Sequence, residues 1–367
     1  MPFEIKSPDY IYKIEPYIPG KPVEEVEREK GLKNIVKLAS NENPLGPSPL
    51  AVKAIRNHLK NLNRYPDGSG FYLKKDLSEY FKNYKLKAEN FILGNGSNEL
   101  IDIAVRTFCN KDENIIAPFP SFVAYYLAAE QLGLKLKISN LSKDYKLDLN
   151  SMLKFIDNKT KIIFVSNPNN PTGTYYKSKE ILQFIKNVRK DILVIVDEAY
   201  IEYINESILD LISFEEYGNV LILRTFSKAY GLAGLRIGYG IACKELLSLM
   251  DRVREPFNVN SLSLAAGQAA LKDEDFIKKV ISVNDAEKKY LYGEFQLLNI
   301  DYVETGANFI LVDLKDNKAV DINEKLLNKG VIVRPMNRFG YENMIRITIG
   351  KHNENLKLIR ALKSIIM

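Results

Sequence analysis

The sequence predicts an α/β protein: a large domain with a mostly parallel sheet sandwiched by helices, then a smaller α/β domain towards the C-terminus. Three observations predict it. From about residue 34 to 255, short apolar runs alternate with helical patterns, which argues for parallel strands joined by helices. Three of those runs, Ile162-Ile163-Phe164-Val165, Ile192-Leu193-Val194-Ile195-Val196 and Val220-Leu221-Ile222-Leu223, are apolar throughout, the pattern of strands buried on both faces. A chain of 367 residues at 46% hydrophobic can also bury a large core and fill two or so domains.

In chain order, residues 1–33 read as an arm, with Pro16, Pro19 and Pro22 followed by a charged stretch over 24–30 that suits a short helix. Residues 34–255 form the large domain, with strands at 91–93, 115–116, 136–138 and the three apolar runs, and helices from Ser97 and over 124–132. The polar, proline-containing Arg254-Glu255-Pro256-Phe257-Asn258 marks a boundary. Residues 256–367 then hold a long helical region after Ser261 and strands at 309–312, 331–333 and 345–347, a smaller domain that the arm completes. No repeat or low-complexity tract interrupts this order.

Bulk chemistry excludes several classes. Two cysteines, Cys109 and Cys243, cannot make the disulfide framework of a secreted domain and favour a reducing cytoplasm. The first thirteen residues lack the apolar stretch of a signal peptide, and no run approaches the ~18 apolar residues that span a bilayer. The net charge of +6 is the remainder of 52 basic and 46 acidic residues scattered along the chain, which argues against nucleic-acid binding. Only two histidines, His58 and His352, occur, so metal clusters and histidine triads are disfavoured and no metal is expected.

The chemistry-bearing residues sit at the ends of the apolar runs, where open α/β sheets bind ligands. Thr225-Phe226-Ser227-Lys228 follows one of them, and a lysine amine there can condense with a carbonyl. Asp197-Glu198-Ala199-Tyr200 follows another, placing a carboxylate where it could face a protonated ring nitrogen. Ser166-Asn167-Pro168-Asn169-Asn170-Pro171-Thr172-Gly173 is a loop stiff enough to aim an amide. Gly94-Asn95-Gly96-Ser97-Asn98-Glu99 turns from strand to helix, so its N–H groups and the Ser97 hydroxyl would face an anion, with Thr225, Ser227 and Arg236 as further ligands. Each also has a plain reading: a solvated lysine, an aspartate capping the next segment, an ordinary turn, a simple connection. Their coincidence in one chain favours a site.

With Asn170-Pro171-Thr172-Gly173, Asp197-Glu198-Ala199-Tyr200, Ser227-Lys228 and Arg236 in this order and spacing, the chain resembles the pyridoxal-phosphate-dependent aminotransferases of fold type I. The strings over 15–22 (Glu-Pro-Tyr-Ile-Pro-Gly-Lys-Pro), 37–46 (Lys-Leu-Ala-Ser-Asn-Glu-Asn-Pro-Leu-Gly) and Arg64-Tyr65-Pro66-Asp67-Gly68 are similar to those of histidinol-phosphate aminotransferases. The resemblance implies pyridoxal 5′-phosphate bound through Lys228, with Asp197 on the ring nitrogen and Asn170 and Tyr200 on the phenolic oxygen. It further implies a phosphate cup of Gly96, Ser97, Asn98, Thr225, Ser227 and Arg236, and Phe122 stacked on the ring. Many relatives carry tyrosine at the Phe122 position, so any hydroxyl contact there is lost. Arg346 matches the family's anion-binding arginine; Arg334, Tyr17 and, more weakly, Asn43 are further substrate candidates. Tyr65 matches a residue that reaches the cofactor phosphate of a neighbouring subunit, which implies a homodimer with shared sites.

The implied reaction exchanges an amino group between L-histidinol phosphate and 2-oxoglutarate or glutamate in histidine biosynthesis. The rivals are an aminotransferase for aromatic amino acids, a threonine-phosphate decarboxylase and a non-catalytic regulator that keeps the fold. Retention of Lys228, Asp197 and Arg236, with no added DNA-binding segment, argues against the last.

Overall fold

The structure, a computed structural model, describes residues 5–18 and 20–366. Residues 1–4, Pro19 and Met367, at the expected arm and the end of the expected second domain, lie outside the described residues. After a short strand β1 (Val36–Lys37), seven strands build the main sheet: β2 (Phe91–Gly94), β3 (Asn114–Phe119), β4 (Lys135–Asn140), β5 (Thr160–Ser166), β6 (Leu193–Asp197), β7 (Val220–Thr225) and β8 (Gly238–Ile241). Their order is β2-β8-β7-β6-β5-β3-β4. Strands β3 to β7 pair in parallel, and β8 alone runs antiparallel to its neighbours β2 and β7.

Period-two alternation decides which side chains feed which face of this sheet. Ile163, Val165, Val194, Val196, Val220 and Ile222 enter one core, while Ile162, Phe164, Leu193, Ile195, Leu221 and Leu223 enter the other. Helices cover both faces, which is why the central runs of β5, β6 and β7 are apolar on both sides, whereas β4 at the sheet edge keeps Lys135 and Asn140 exposed. On the second face the helix Ser97–Phe108 buries Leu100, Ile101, Ala104 and Val105.

Strand β8 and the helices Pro49–His58 and Phe71–Tyr80 are not among the expected elements. The strand is short and half glycine, so it carries little apolar signal. The first helix did have a readable start, because the Ser48 hydroxyl accepts from the Ala51 N–H and Pro49 takes the first helical position.

The remaining strands are β9 (Asp301–Val303), β10 (Phe309–Asp313), β11 (Val331–Ile332), β12 (Arg334–Pro335) and β13 (Met344–Thr348). The second sheet has the order β12-β13-β10-β9 and is antiparallel. The expected single strand over 331–333 splits: β11 pairs in parallel with β1, whereas β12 joins β13. An apolar run shows burial but does not name its partner.

A second difference concerns the boundary at 256. The helix Ser261–Leu271 packs Ala266, Ala270 and Leu271 into a core of the main sheet. Along the helix Glu274–Leu297 the packing changes, from Val280 beside Tyr200 to Leu291 and Phe295 under the second sheet. A proline-bearing loop marks a turn but not the core that the next helix joins. Near the N-terminus, Val26 and Ala39 pack on Leu327 and Ile332. Among the described residues, no helix is long and apolar enough to cross a membrane.

Candidate active site

The C-terminal ends of β5, β6 and β7 open into a cavity of about 320 Å³, the position where parallel strands leave room for a ligand. At one end is a cup for an anion. The helix Ser97–Phe108 starts there, and the N-terminal residue of that helix lines the cavity with Gly96 and Asn98. Gly96 has φ +78°, and a Cβ on it would lie 2.7 Å from the Arg236 guanidinium. A Cβ on Gly238 would lie 2.4 Å from the Ser97 backbone nitrogen, so glycine lets β8 run against the helix start. The Thr225 hydroxyl donates to Ser227 Oγ at 3.0 Å and accepts from the Ser227 N–H at 3.1 Å. Arg236, at φ 55°, anchors one guanidinium nitrogen on the Ala233 carbonyl at 3.0 Å. Helix-end N–H groups, hydroxyls and a guanidinium together suit a phosphate.

Lys228 stands beside this cup. Its Nζ donates to the Ser40 carbonyl at 3.4 Å and lies 5.6 Å from the centre of the Tyr200 ring. Burial, then the nearby Arg346 guanidinium, pulls the amine down to about 8, against the pull of Glu42. A larger share of the amine is therefore neutral, and nucleophilic, near pH 7 than for an ordinary lysine.

At the cavity floor, Asp197 ends β6. Tyr125 Oη donates to its Oδ2 at 2.8 Å and the Ala199 N–H to its Oδ1 at 3.1 Å. Burial pushes the carboxyl up to about 6 in spite of these hydrogen bonds. A cationic ring nitrogen would favour its charged form. Tyr125 is a residue that sequence reasoning missed. It follows Phe122 by three positions at the start of the helix Ala124–Glu130, with its ring stacked on Phe164 at 4.4 Å and edge-on to Phe122 at 5.7 Å. A fully buried tyrosine hydroxyl needs a partner, which was the available signal.

The opposite wall comes from the second sheet. Arg346, on β13, donates through Nη1 to Asn170 Oδ1 at 2.5 Å and through Nη2 to the Ala39 carbonyl at 2.7 Å. Its buried Nε makes no hydrogen bond, and burial pulls the guanidinium down to about 10. Because the Asn170 oxygen is taken, its NH₂ group is left to donate into the cavity it lines. Tyr200 Oη accepts from Asn41 Nδ2 at 2.9 Å, and burial raises its hydroxyl to about 12. At the rim, the Tyr17 ring lies 5.8 Å from the Arg334 guanidinium carbon, and Arg334 Nη2 donates to the Ile18 carbonyl at 3.1 Å.

Two candidates stand elsewhere. Asn43 does not line the cavity: its amide donates to the Ala229 carbonyl at 2.8 Å and accepts from the Leu45 N–H at 2.9 Å, which locks a turn. The sequence could not separate it from Asn41, two residues earlier, which does line the cavity. Tyr65 is 83% exposed, stacked on Phe257 at 4.9 Å and outside its own chain's cavity. Sequence reasoning also passed over the buried pair Glu198–Arg224, in which Arg224 Nε and Nη2 donate to Glu198 Oε2 at 3.0 and 2.8 Å. A charged residue inside an apolar strand run was its signal.

The donor set fits pyridoxal 5′-phosphate on three counts: an anion cup that a Cβ at residue 96 would fill, a buried carboxylate for the ring nitrogen, and an amine of lowered pKa that feels both Arg236 and Asp197. Comparison with known proteins agrees. The family model described as aminotransferase class I and II matches residues 33–362. The chain is 44% identical over 364 residues, 98% of this chain and 93% of the relative, to a histidinol-phosphate aminotransferase of Moorella thermoacetica. It is 44% identical over 353 residues, 96% and 94% of the two chains, to histidinol-phosphate aminotransferase 1 of Nitrosococcus oceani. It is similar to the crystal structure of histidinol-phosphate aminotransferase from Sinorhizobium meliloti in complex with pyridoxal-5′-phosphate, with TM-score 0.88, 25% identity and 98% and 96% of the chains covered. With the cup, amine and carboxylate arranged on this sheet, the chain belongs to the class I and II aminotransferases and is a pyridoxal-phosphate-dependent transaminase of fold type I.

Proposed function

We propose that this chain exchanges an amino group between L-histidinol phosphate and 2-oxoglutarate, so that the first becomes a ketone and the second glutamate, in histidine biosynthesis. The observation that carries this reading is that two guanidinium groups, Arg346 and Arg334, line the same cavity as the Lys228 amine, with Tyr17 beside them. Two such forks suit a substrate phosphate in one half-reaction and a carboxylate in the other. Relatives 44% identical over nearly the whole chain, named for histidinol phosphate, support it.

Pyridoxal 5′-phosphate, when bound, supplies an aldehyde for the substrate amine and a conjugated ring that takes up the electron pair of the α-carbon. Ser97, Asn98, Thr225, Ser227 and Arg236, with the N–H groups of the helix start after Gly96, would hold its phosphate. Phe122 would pack against the ring, and Asp197 would keep the ring nitrogen protonated. Asn170 and Tyr200 would donate to the phenolic oxygen. Lys228 Nζ would hold the cofactor's aldehyde, and its free amine would serve as the general base that takes the proton at the substrate α-carbon and returns it on the opposite side of the exchange. Arg346 fixes the anion so that this C–H bond faces the amine.

The same reading includes a homodimer. Tyr65, stacked on Phe257, is exposed, and Leu59, Leu62, Phe71 and Tyr72 near it in the chain are exposed too, apolar side chains that a second copy would cover.

Steady-state comparison of histidinol phosphate, phenylalanine, tyrosine and O-phosphothreonine tests the substrate. Histidinol phosphate should give the highest kcat/KM. Arg346→Ala should damage both half-reactions, and Arg334→Ala should cost histidinol phosphate about tenfold or more beyond its cost for glutamate, since a phosphate dianion gains more from a second fork. A wild-type preference for phenylalanine that Arg334→Ala leaves untouched would assign the chain to aromatic amino acids instead.

A further inference from the structure

Asn41 is 1% exposed, lines the cavity and sits in the left-handed region at φ 56°. Four hydrogen bonds hold it. Its backbone N–H donates to Thr348 Oγ1 at 2.9 Å, its carbonyl accepts from Asn308 Nδ2 at 3.0 Å, its Oδ1 faces Thr348 Oγ1 at 3.4 Å and its Nδ2 donates to Tyr200 Oη at 2.9 Å. Thr348 lies two residues beyond Arg346 on β13, so the same strand face carries both side chains.

Proton counting gives these contacts a direction. A hydroxyl has one proton to donate. Thr348 Oγ1 accepts from the Asn41 N–H, which leaves its own proton for Asn41 Oδ1. With Oδ1 so engaged, the amide turns its NH₂ towards Tyr200. Tyr200 Oη then accepts from Asn41 and keeps its own proton for a different acceptor. With the amide reversed, Asn41 Oδ1 would take that proton, and an asparagine's orientation is decided by such networks.

We propose that Asn41, oriented by Thr348, is a positioning residue that keeps the Tyr200 hydroxyl as a donor into the cavity, towards the oxygen of the bound ring. This rests on the role given to Tyr200 above. The N-terminal segment and the second sheet thereby set the electronics of a group held by the main sheet. The αL backbone explains the residue type, because asparagine takes that conformation more readily than most side chains.

The test is a spectrophotometric pH titration of the protein-linked chromophore in the resting holoenzyme, with thermal melts of every variant. Donors to the phenolic oxygen hold the chromophore's midpoint down, so losing one raises it. Asn41→Gly retains the φ 56° backbone without strain and removes the amide. Its midpoint should rise by about half a pH unit or more, in the direction of Tyr200→Phe, with kcat reduced more than KM. Thr348→Val should shift the midpoint the same way, and Thr348→Ser, which keeps the hydroxyl, should retain the wild-type value. If Asn41→Gly does not fold, the Thr348 pair alone decides the matter. Lowered melting with unmoved midpoints in Asn41→Gly and Thr348→Val, while Tyr200→Phe shifts, makes the residue structural only and overturns the proposal. An unmoved midpoint in Tyr200→Phe itself overturns the Tyr200 assignment, and the relay with it.

Discussion

At the scale of residues, the site is a set of ionisable groups shifted by burial and by neighbouring charge. Lys228 is the clearest case, since burial and Arg346 together bring its amine from 10.5 to about 8. Only the deprotonated amine adds to an aldehyde, so the rate at which the apoprotein takes up pyridoxal 5′-phosphate should rise about tenfold per pH unit below that midpoint and flatten above it. Stopped-flow absorbance between about pH 6.5 and 9.5 reads this directly; a rate still climbing steeply at the upper limit would mean an ordinary, solvated lysine. Lysine, aspartate and the Asn170 loop were legible in the sequence because each follows an apolar run that could only be a buried strand. Tyr125 and Asn41 were not, because their roles depend on hydrogen-bond partners 72 and 159 residues away in the chain.

Elements place these residues with little freedom. Asp197 and Glu198 leave β6 in opposite directions, one to the cavity and the other to Arg224 on the next strand. The Arg224 guanidinium is kept charged against burial by Glu198, and Ser207 Oγ shares the contact at 2.8 Å. Glu198→Gln would strand a buried cation near the Asp197 carboxylate. It should cost about 3 kcal/mol or more in denaturant unfolding, since breaking a buried pair from one side is far worse than losing a surface one. A loss below about 1 kcal/mol would show that the pair is solvated or that Glu202, whose carboxyl also feels the Arg224 guanidinium, takes over the charge. Strands β5 to β7 were legible because they are apolar on both faces; β8 was not, because Gly238 answers to the helix start and Gly240 to Ile92 and Leu221 on neighbouring strands, which leaves no hydrophobic pattern.

For the whole molecule, the question is whether one chain completes a site. Tyr65 stands outside its own cavity, and in the proposed homodimer it serves the neighbour. In a hybrid of Tyr65→Ala with Lys228→Ala, the site that keeps Lys228 receives an intact Tyr65. Adding an excess of inactive Lys228→Ala chains should therefore raise the activity per Tyr65→Ala chain towards wild type after verified subunit exchange. No gain, or a fully active monomer by light scattering, would remove the shared site. Two α/β units were legible from length and alternation, but not the core that each helix joins: Ser261–Leu271 lies beyond the proline loop and still packs on the main sheet. Long-range packing of this kind leaves no local signature.

The central claim, that Lys228 is the amine that holds the cofactor, is tested most directly by reducing the holoenzyme with borohydride and mapping the modified peptide by mass spectrometry. The account predicts a single pyridoxyl addition on Lys228 and no addition in Lys228→Ala, together with loss of the protein-linked absorbance. A stoichiometric addition on any other lysine, or an unchanged chromophore in that variant, would contradict it.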